Sequence, residues 1–381
     1  MFSIAIELGA PNNIRHYSPL PVLPQLRGYT GEGSQVRADI SAGHFVSITG
    51  LAAHHCPTGR DLFLEKRLKV DAPSWERSVL GKIVDSLLAK FLDAGLIYME
   101  DAFEASVQSN SAVDLSSLEA LILAAGYEII QKHLADWSYP NTASNLAKET
   151  IDSFADLMAC GGQSGADLIA NTIKALQDLV KYETKLLMRY LKRLRRGRPK
   201  LWMAETKATL ARLQAEYQLD KKEEGKLFGL SQNIKPDFLY AVTLIGDVKT
   251  GKYYEFYESV ATGYAIYAEY ALRKRINTAA ILAIDLDLVA GKLRSHRVKI
   301  VRPTNEKRQL WVTRRDSALK IVGRESAPQH PSSPQPCQSC LYRSHCWVNG
   351  TPGGTPTTPS EPVKKGKPGS KAVADPSVTP V

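Results

Sequence analysis

The amino-acid sequence predicts an α/β (α+β) fold: a small mixed sheet flanked by helices, with a large helical insertion. Three observations carry that expectation. An apolar stripe at helical spacing runs from Ile169 to Leu194, the pattern changes after Gly229 to short strand-like segments, and helical text returns between and after them. With 381 residues, 44% hydrophobic and 23% charged, the chain is long enough for a sizeable core and is not wholly disordered.

The elements follow in order. The first fifty residues hold the turn-rich phrases SPLPVLPQL and GYTGEG and are expected to be irregular with short strands. Residues 56–95 bring the first cysteine of interest and the first core helix, through DLFLEKRL and SWERSVLGKIVDSLLAKFLDAGL. Residues 116–228 read as a helical insertion. In it Ile169, Ile173, Leu176, Val180, Leu187, Leu191 and Leu194 form one helix face, and Gly161-Gly162, Gly197 and Pro199 punctuate the run. Residues 229–325 form the sheet region: IKPDFLYAVTL and IGDVKTG as short strands, EFYESVATGYAIYAEYALRK as a helix, TAAILAIDLDL and HRVKIVRP as strands, NEKRQLWVTRRDSALKIVG as a last helix. Residues 337–347 hold three cysteines. Eleven of the 21 prolines lie beyond Ala327, and from Gly350 onward there is no aromatic residue to bury, so 348–381 is expected to be disordered. Residues 1–347 are then read as a single domain.

Composition narrows the function classes. No run of 18 apolar residues is present, so no membrane span is expected, and MFSIAIELGAPNN lacks the basic flank of a secretory signal. Five cysteines, three of them crowded together, fit a metal-holding cytoplasmic protein better than a disulfide framework. The net charge of +10 favours a polyanionic partner.

Pro236-Asp237 is followed ten residues later by Asp247-Val248-Lys249. On a strand, Asp247 and Lys249 share a face. If the Asp237 strand pairs with it, two carboxylates and an ammonium converge. Two carboxylates suit a hard cation such as Mg²⁺ or Mn²⁺, which polarises a phosphodiester and activates a bound water. Lys249 can orient that water or stabilise charge on the phosphate. The following helix presents Tyr264. The bland alternatives are a solvated Asp–Lys pair on an edge strand and an ordinary packed tyrosine.

Cys337, Cys340 and Cys346 sit in a proline-rich segment that builds no regular structure of its own, which suggests that a metal supplies the order. Cys56 is the natural fourth ligand. Four soft ligands suit zinc or an iron–sulfur cluster, and zinc could equally recruit His345, His54 or His55. Spacing alone leans to zinc. Cys160 reads as a packed or spare thiol. Between Thr184 and Thr206, eight cations including Arg193, Arg195 and Arg196 outnumber the single Glu205, with Tyr190 and Trp202 beside them. Such a run is either a solvated helix face or a phosphate-binding track with stacking aromatics.

Taken together, the phrase Cys56-Pro-Thr-Gly-Arg60-Asp61, then Pro236-Asp237, Asp247-Val248-Lys249, Tyr264 and the Cys337/Cys340/Cys346 trio resemble the CRISPR-associated, RecB-like iron–sulfur nucleases of the PD-(D/E)XK superfamily. The Cys56–Asp61 phrase looks closest to the archaeal subtype I-A branch. The resemblance implies a PD-(D/E)XK core and a [4Fe–4S] cluster on Cys56, Cys337, Cys340 and Cys346, which reverses the leaning to zinc. It implies Mn²⁺- or Mg²⁺-dependent exonuclease cleavage of single-stranded DNA ends, with Asp237, Asp247, Lys249 and Tyr264 catalytic. The metal would be held by Asp85, Asp237, Asp247 and the Val248 carbonyl; for DNA, Arg60 of the first phrase joins Arg193, Arg195 and Arg196 of the basic run as candidate contacts. In the cell it implies trimming of DNA fragments for spacer acquisition beside the CRISPR adaptation integrase, with homo-oligomerisation left open.

Two positions depart from the family pattern. Gly81-Lys-Ile-Val-Asp85 has aspartate where the family has histidine, and Val260 stands where it has glutamine. They support a rival reading, a catalytically weak iron–sulfur scaffold that binds DNA and adaptation partners; a third reading, an iron–sulfur DNA-repair nuclease outside CRISPR, rests on the same motifs being shared.

Overall fold

A computed structural model of the chain describes residues 2–9, 20–28, 44–53, 56–70, 76–138, 165–197, 202–210, 213–215, 228–230, 234–240, 243–333, 337, 340, 342–348 and 351–352. Its centre is strand β4 (Thr278–Asp287), whose residues are buried on both faces, as an uninterrupted apolar run requires. To one side β3 (Leu244–Thr250) runs parallel to it, followed by antiparallel β2 (Phe238–Tyr240) and β1 (Leu213–Ala215). To the other side β5 (Lys292–Val301) is antiparallel, with a register shift at Asp285/Leu286. The order β1-β2-β3-β4-β5 makes a mixed five-stranded sheet.

Helices cover both faces. α1 (Phe2–Gly9), α4 (Glu76–Gln108), α5 (Leu115–Ser138), α6 (Gly165–Gly197) and α7 (Trp202–Leu210) share one core with Phe238, Leu244, Val248, Ala280, Leu282 and Ile284. α2 (Ile48–Ala53), α8 (Tyr257–Leu272) and α9 (Asn305–Val322) pack with Ile245, Ala279 and Ile281 on the opposite face. The two residue sets alternate along β3 and β4, as strand geometry demands. α8 is the crossover that a parallel β3–β4 pair needs.

The predicted stripe lies on α6: Leu176, Val180, Leu187, Leu191 and Leu194 are buried, Ile173 is half-buried, and the Ile169 side chain lies outside the described residues. The helical insertion is thus one layer of the main core. Two expectations are corrected. The described part of the first fifty residues holds α1, a short 3-10 turn (Pro24–Leu26) and α2, where short strands were expected; the only extended contact described there is a bridge from Val46 to Leu230. The region read as a helical insertion also ends in β1, which extends the sheet. Beyond 347, a small pairing of Trp347–Val348 with Thr351–Pro352 is described, and the rest of the expected disordered tail lies outside the described residues.

Two buried carboxylates tie distant segments together. Glu183 of α6 accepts the Ser3 N–H at 2.9 Å and hydroxyl at 2.7 Å and meets His296 Nε2 of β5 at 2.8 Å. Glu269 of α8 takes Arg27, the Gly28 and Ile276 amides at 3.0 Å, and Arg308 through both carboxylate oxygens at 2.9 and 3.1 Å.

Candidate active site

The acidic site is built where β2 begins beside β3. Asp237 N–H donates to the Gly246 carbonyl at 3.1 Å, so the residue is held in register just before the strand. Gly246 is required there: a Cβ would lie 1.8 Å from the Phe238 ring, which crosses directly over it. Along β3 the next backbone groups facing β2 belong to Val248. Its N–H donates to Asp237 Oδ2 at 2.6 Å, and strand alternation turns its carbonyl to the same edge.

Asp247 and Lys249 occupy the face that carries α8. Asp247 is 2% exposed, and Lys249 Nζ lies 2.5 Å from its Oδ2. The Asp237 and Asp247 carboxyls lie close enough for the charge of one to act on the other. Burial, then the charges of Asp247 and Asp85, push the Asp237 carboxyl well above the usual carboxylate range. Burial alone would lower the Lys249 ammonium, but Asp247 and Asp237 outweigh it and hold it above its ordinary value. Tyr264 of α8 donates to the Lys235 carbonyl at 3.4 Å, and burial, with Asp247 adding, raises its phenol. Asp85 arrives from α4 on the other face, half-buried, and its charge acts on Asp237.

The sequence-predicted residues Asp85, Asp237, Asp247, Val248, Lys249 and Tyr264 therefore meet in one neighbourhood. A buried and a half-buried carboxyl that act on one another need a shared proton or a cation between them, so the chemistry of this donor set suits a hard divalent ion. Among the described residues, however, no group of three or more His, Cys, Asp or Glu side chains is drawn together tightly enough to hold a metal ion.

The same holds of the thiols. Cys56 begins a tight turn into α3 (Arg60–Lys66): its N–H donates to Asp61 Oδ2 at 3.1 Å, and Gly59 enters the helix at φ +72, a conformation that favours glycine. Leu64 of α3 packs with Tyr342 and Cys346, which brings the C-terminal trio to the first cysteine across the whole chain. Cys56, Cys337 and Cys346 are buried, Cys340 is half-buried, and all four are free thiols. Burial pushes the Cys340 thiol up to about 11, with Asp61, Cys337 and Cys346 adding and the Tyr342 amide opposing. Burial also raises Cys346; Arg60 opposes, while Cys56 and Cys337 add. The four thiols thus feel one another's charge. Four soft donors suit an iron–sulfur cluster or zinc alike. Cys160, His54 and His55 lie outside the described residues.

Two expectations about DNA are corrected in place. Arg60 is 1% exposed, donates to the Pro328 carbonyl at 2.7 Å and faces Cys346, so its guanidinium is turned inward rather than to a DNA strand. Tyr190 and Trp202, read as stacking aromatics, are buried, Trp202 edge-on against Phe103 at 5.4 Å. Arg193, Arg195 and Arg196 are exposed at the C-terminal end of α6, where cations also complement the helix dipole. Sequence reasoning missed an aromatic turn, Tyr253 to Tyr257, which follows β3 and exposes Tyr254; its signal is four aromatics in five residues.

No curated protein and no solved structure matches the chain. A family model described as CRISPR-associated exonuclease Csa1 matches residues 127–349, more than half of the sequence. That span takes in Asp237, Asp247, Lys249, Tyr264 and the cysteine trio, while Cys56 and Asp85 precede it. With the mixed sheet, the clustered acids and the gathered thiols already described, the chain belongs to the CRISPR-associated exonuclease Csa1 family.

Proposed function

We propose that this protein is a divalent-metal-dependent DNA exonuclease that trims single-stranded ends of DNA fragments for CRISPR spacer acquisition, on a PD-(D/E)XK core of the archaeal subtype I-A branch. The observation that carries the reading is the pairing of half-buried Asp237 with buried Asp247, which Lys249 meets at 2.5 Å, at a sheet edge where β2 has yet to begin. Asp237, Asp247, the Val248 carbonyl and Asp85 would hold Mn²⁺ or Mg²⁺, which when bound polarises the scissile phosphate and makes its water more acidic. Lys249 stays protonated beside the two acids and is placed to stabilise charge on the phosphate or to orient the attacking water. Tyr264 remains a neutral phenol able to donate to a phosphate oxygen.

Cys56, Cys337, Cys340 and Cys346 are assigned a [4Fe–4S] cluster that staples the start of α3 to the C-terminal segment. Arg193, Arg195 and Arg196 are assigned to the DNA backbone, and the integrase of the adaptation complex is the expected partner in the cytoplasm. The test is a nuclease assay on end-labelled single-stranded DNA with Mn²⁺, with Mg²⁺ and with chelator. Metal-dependent shortening by the wild type and none by Asp247→Ala is the expected result; DNA binding without cleavage above Asp247→Ala would leave a scaffold.

A further inference from the structure

We propose that the turn from Tyr253 to Tyr257 is a base-stacking platform that seats the unpaired nucleotides of a single-stranded DNA substrate beside the acidic centre; this deepens, and rests on, the exonuclease reading above. The turn leaves β3 immediately after Lys249 and Thr250 and leads into α8. Its rings are already ordered against one another. Tyr254 and Phe256 are stacked at 5.6 Å with planes 17° apart, and Tyr257 closes on Phe256 edge-on at 4.5 Å. Tyr254 is 41% exposed, so the stack has an open face. An exposed Tyr254 ring backed by the half-buried, near-parallel Phe256 is a costly surface for water to cover and a ready partner for a nucleobase, since every base offers a π-face.

The position relative to the proposed chemistry is specific. Lys249 Nζ, which pairs with Asp247, also lies 5.9 Å from the centre of the Tyr257 ring, so the aromatic turn begins where the acidic centre ends. Sheet register continues the path. Lys249 is level with Ala283 of β4, which is level with Arg297 of β5, and in the next row Asp247, Ile281 and Lys299 are aligned. Residues level across a sheet project to the same face. Lys249, Lys299 and Arg297 thus share the α8 face, separated by the small Ala283. The Arg297 guanidinium sits 5.3 Å over the Tyr253 ring. Tyr253 is held in turn by its hydroxyl, which donates to Glu258 at 3.0 Å, and Glu258 is fixed by Lys307.

Rings for bases and cations for phosphates therefore alternate on one surface that starts at Lys249. Cations interleaved with an exposed ring and its half-buried neighbours favour a single nucleic-acid strand over a protein partner, whose apolar anchor would not require them. A duplex keeps its base faces stacked on each other and gains nothing from these rings. That preference for unpaired nucleotides is the substrate property the platform would confer.

The test is equilibrium binding in chelator, followed by fluorescence anisotropy, of oligothymidylate about 15 nucleotides long and of an abasic strand of the same length and charge. Wild-type protein should bind oligothymidylate at least about tenfold more tightly than the abasic strand. Tyr254→Ala/Phe256→Ala should lose that preference while binding the abasic strand as the wild type does, and Tyr254→Phe should keep it. If Phe256→Ala lowers the melting temperature, Tyr254→Ala alone carries the comparison, because its ring is at the surface. Equal wild-type affinity for the two strands overturns the proposal. So does a double variant that still prefers oligothymidylate, the result expected if the rings instead dock a protein. The same strands incubated with Mn²⁺ separate the two readings: a base preference without metal-dependent cleavage removes the exonuclease and leaves the platform, and cleavage without base preference does the reverse.

Discussion

The Val248 amide donates to the Asp237 carboxylate at 2.6 Å, across the gap where β2 has not yet begun to pair with β3. That bond does for Asp237 what the ladder does for its neighbours: it fixes the carboxylate against the strand edge, beside Asp247. The acidic centre is therefore a property of strand register, and it depends on Gly246 letting the Phe238 ring lie flat on β3.

Catalysis divides between the two charged residues of the strand. Asp247→Ala should abolish cleavage and weaken divalent-ion binding with the fold intact. Lys249→Ala should behave differently, because it removes the cation that now competes for Asp247. Metal affinity is expected to hold or rise while the rate falls by roughly a hundredfold, the scale for losing one charge-stabilising donor. Titration of Mn²⁺ against both variants, with initial rates on the same DNA, checks the split. A Lys249→Ala enzyme of wild-type rate would exclude the role given to the lysine.

Stability should respond to pH and metal together. The Asp237 carboxyl is raised in the folded state by burial and by Asp247 and Asp85. A raised folded value means that its contribution to stability is complete below the unfolded pKa, near 4, and is lost as pH climbs through the folded value. Metal-free protein should therefore weaken on going from pH 5 to pH 8, and a divalent ion against the carboxyl pair should cancel that loss. Melting curves are expected to show a Mn²⁺-induced rise that is larger at pH 8 than at pH 5, on the order of 2 °C or more. An equal rise at both values would place the ion elsewhere.

Strands β3 to β5 and helices α8 and α9 were legible in the sequence because a buried strand and a long packed helix each impose a period on their residues. The shared face of Asp247 and Lys249 was legible for the same reason, while Asp237 joins them through the pairing of its segment with β3, which the sequence left conditional. What was not legible has a common cause. Strand β1 is three residues, Leu213-Gln214-Ala215, held by pairing with β2 and too short to carry any period. Helix α1 is apolar nearly all round, and only its packing, with Phe2 at 5.3 Å from Phe91, makes it a buried helix. Tyr190 and Trp202 looked like stacking residues because they neighbour cations in sequence, yet on α6 and α7 they face the core. Neighbours along a chain say little about which side of a helix a ring takes.

The Glu269 network offers a test of what anchors the N-terminal segment. Its carboxylate is fully buried between Arg27 and Arg308 and also receives the Gly28 and Ile276 amides. Glu269→Gln keeps the shape but leaves two buried guanidiniums without their counter-charge. The expected cost is about 3–5 kcal/mol, the usual penalty for breaking a buried pair from one side. Urea unfolding monitored by circular dichroism measures it, and a change under about 1 kcal/mol would mean that water or another acid neutralises the arginines.

The four cysteines lead to the last expectation. Burial holds the Cys340 and Cys346 thiols up, and their thiol neighbours push in the same direction, while Arg60 is the cation that opposes this at Cys346. Thiols in that setting repel one another once ionised, so an inserted iron–sulfur core would convert mutual repulsion into attraction to the metal. Protein purified without oxygen should be brown and contain iron and sulfide in stoichiometric amounts. Cys337→Ser should bleach it and lower its melting temperature, because Leu64, Tyr342 and Cys346 form only a small apolar cluster to hold the C-terminal segment against α3. Cys160→Ser should leave colour and stability unchanged. Because these readouts are colour, metal content and stability, they stand apart from nuclease activity. A colourless protein that carries one tightly bound zinc, and loses it in the Cys337 variant, would replace the cluster with zinc while keeping the four cysteines as its ligands.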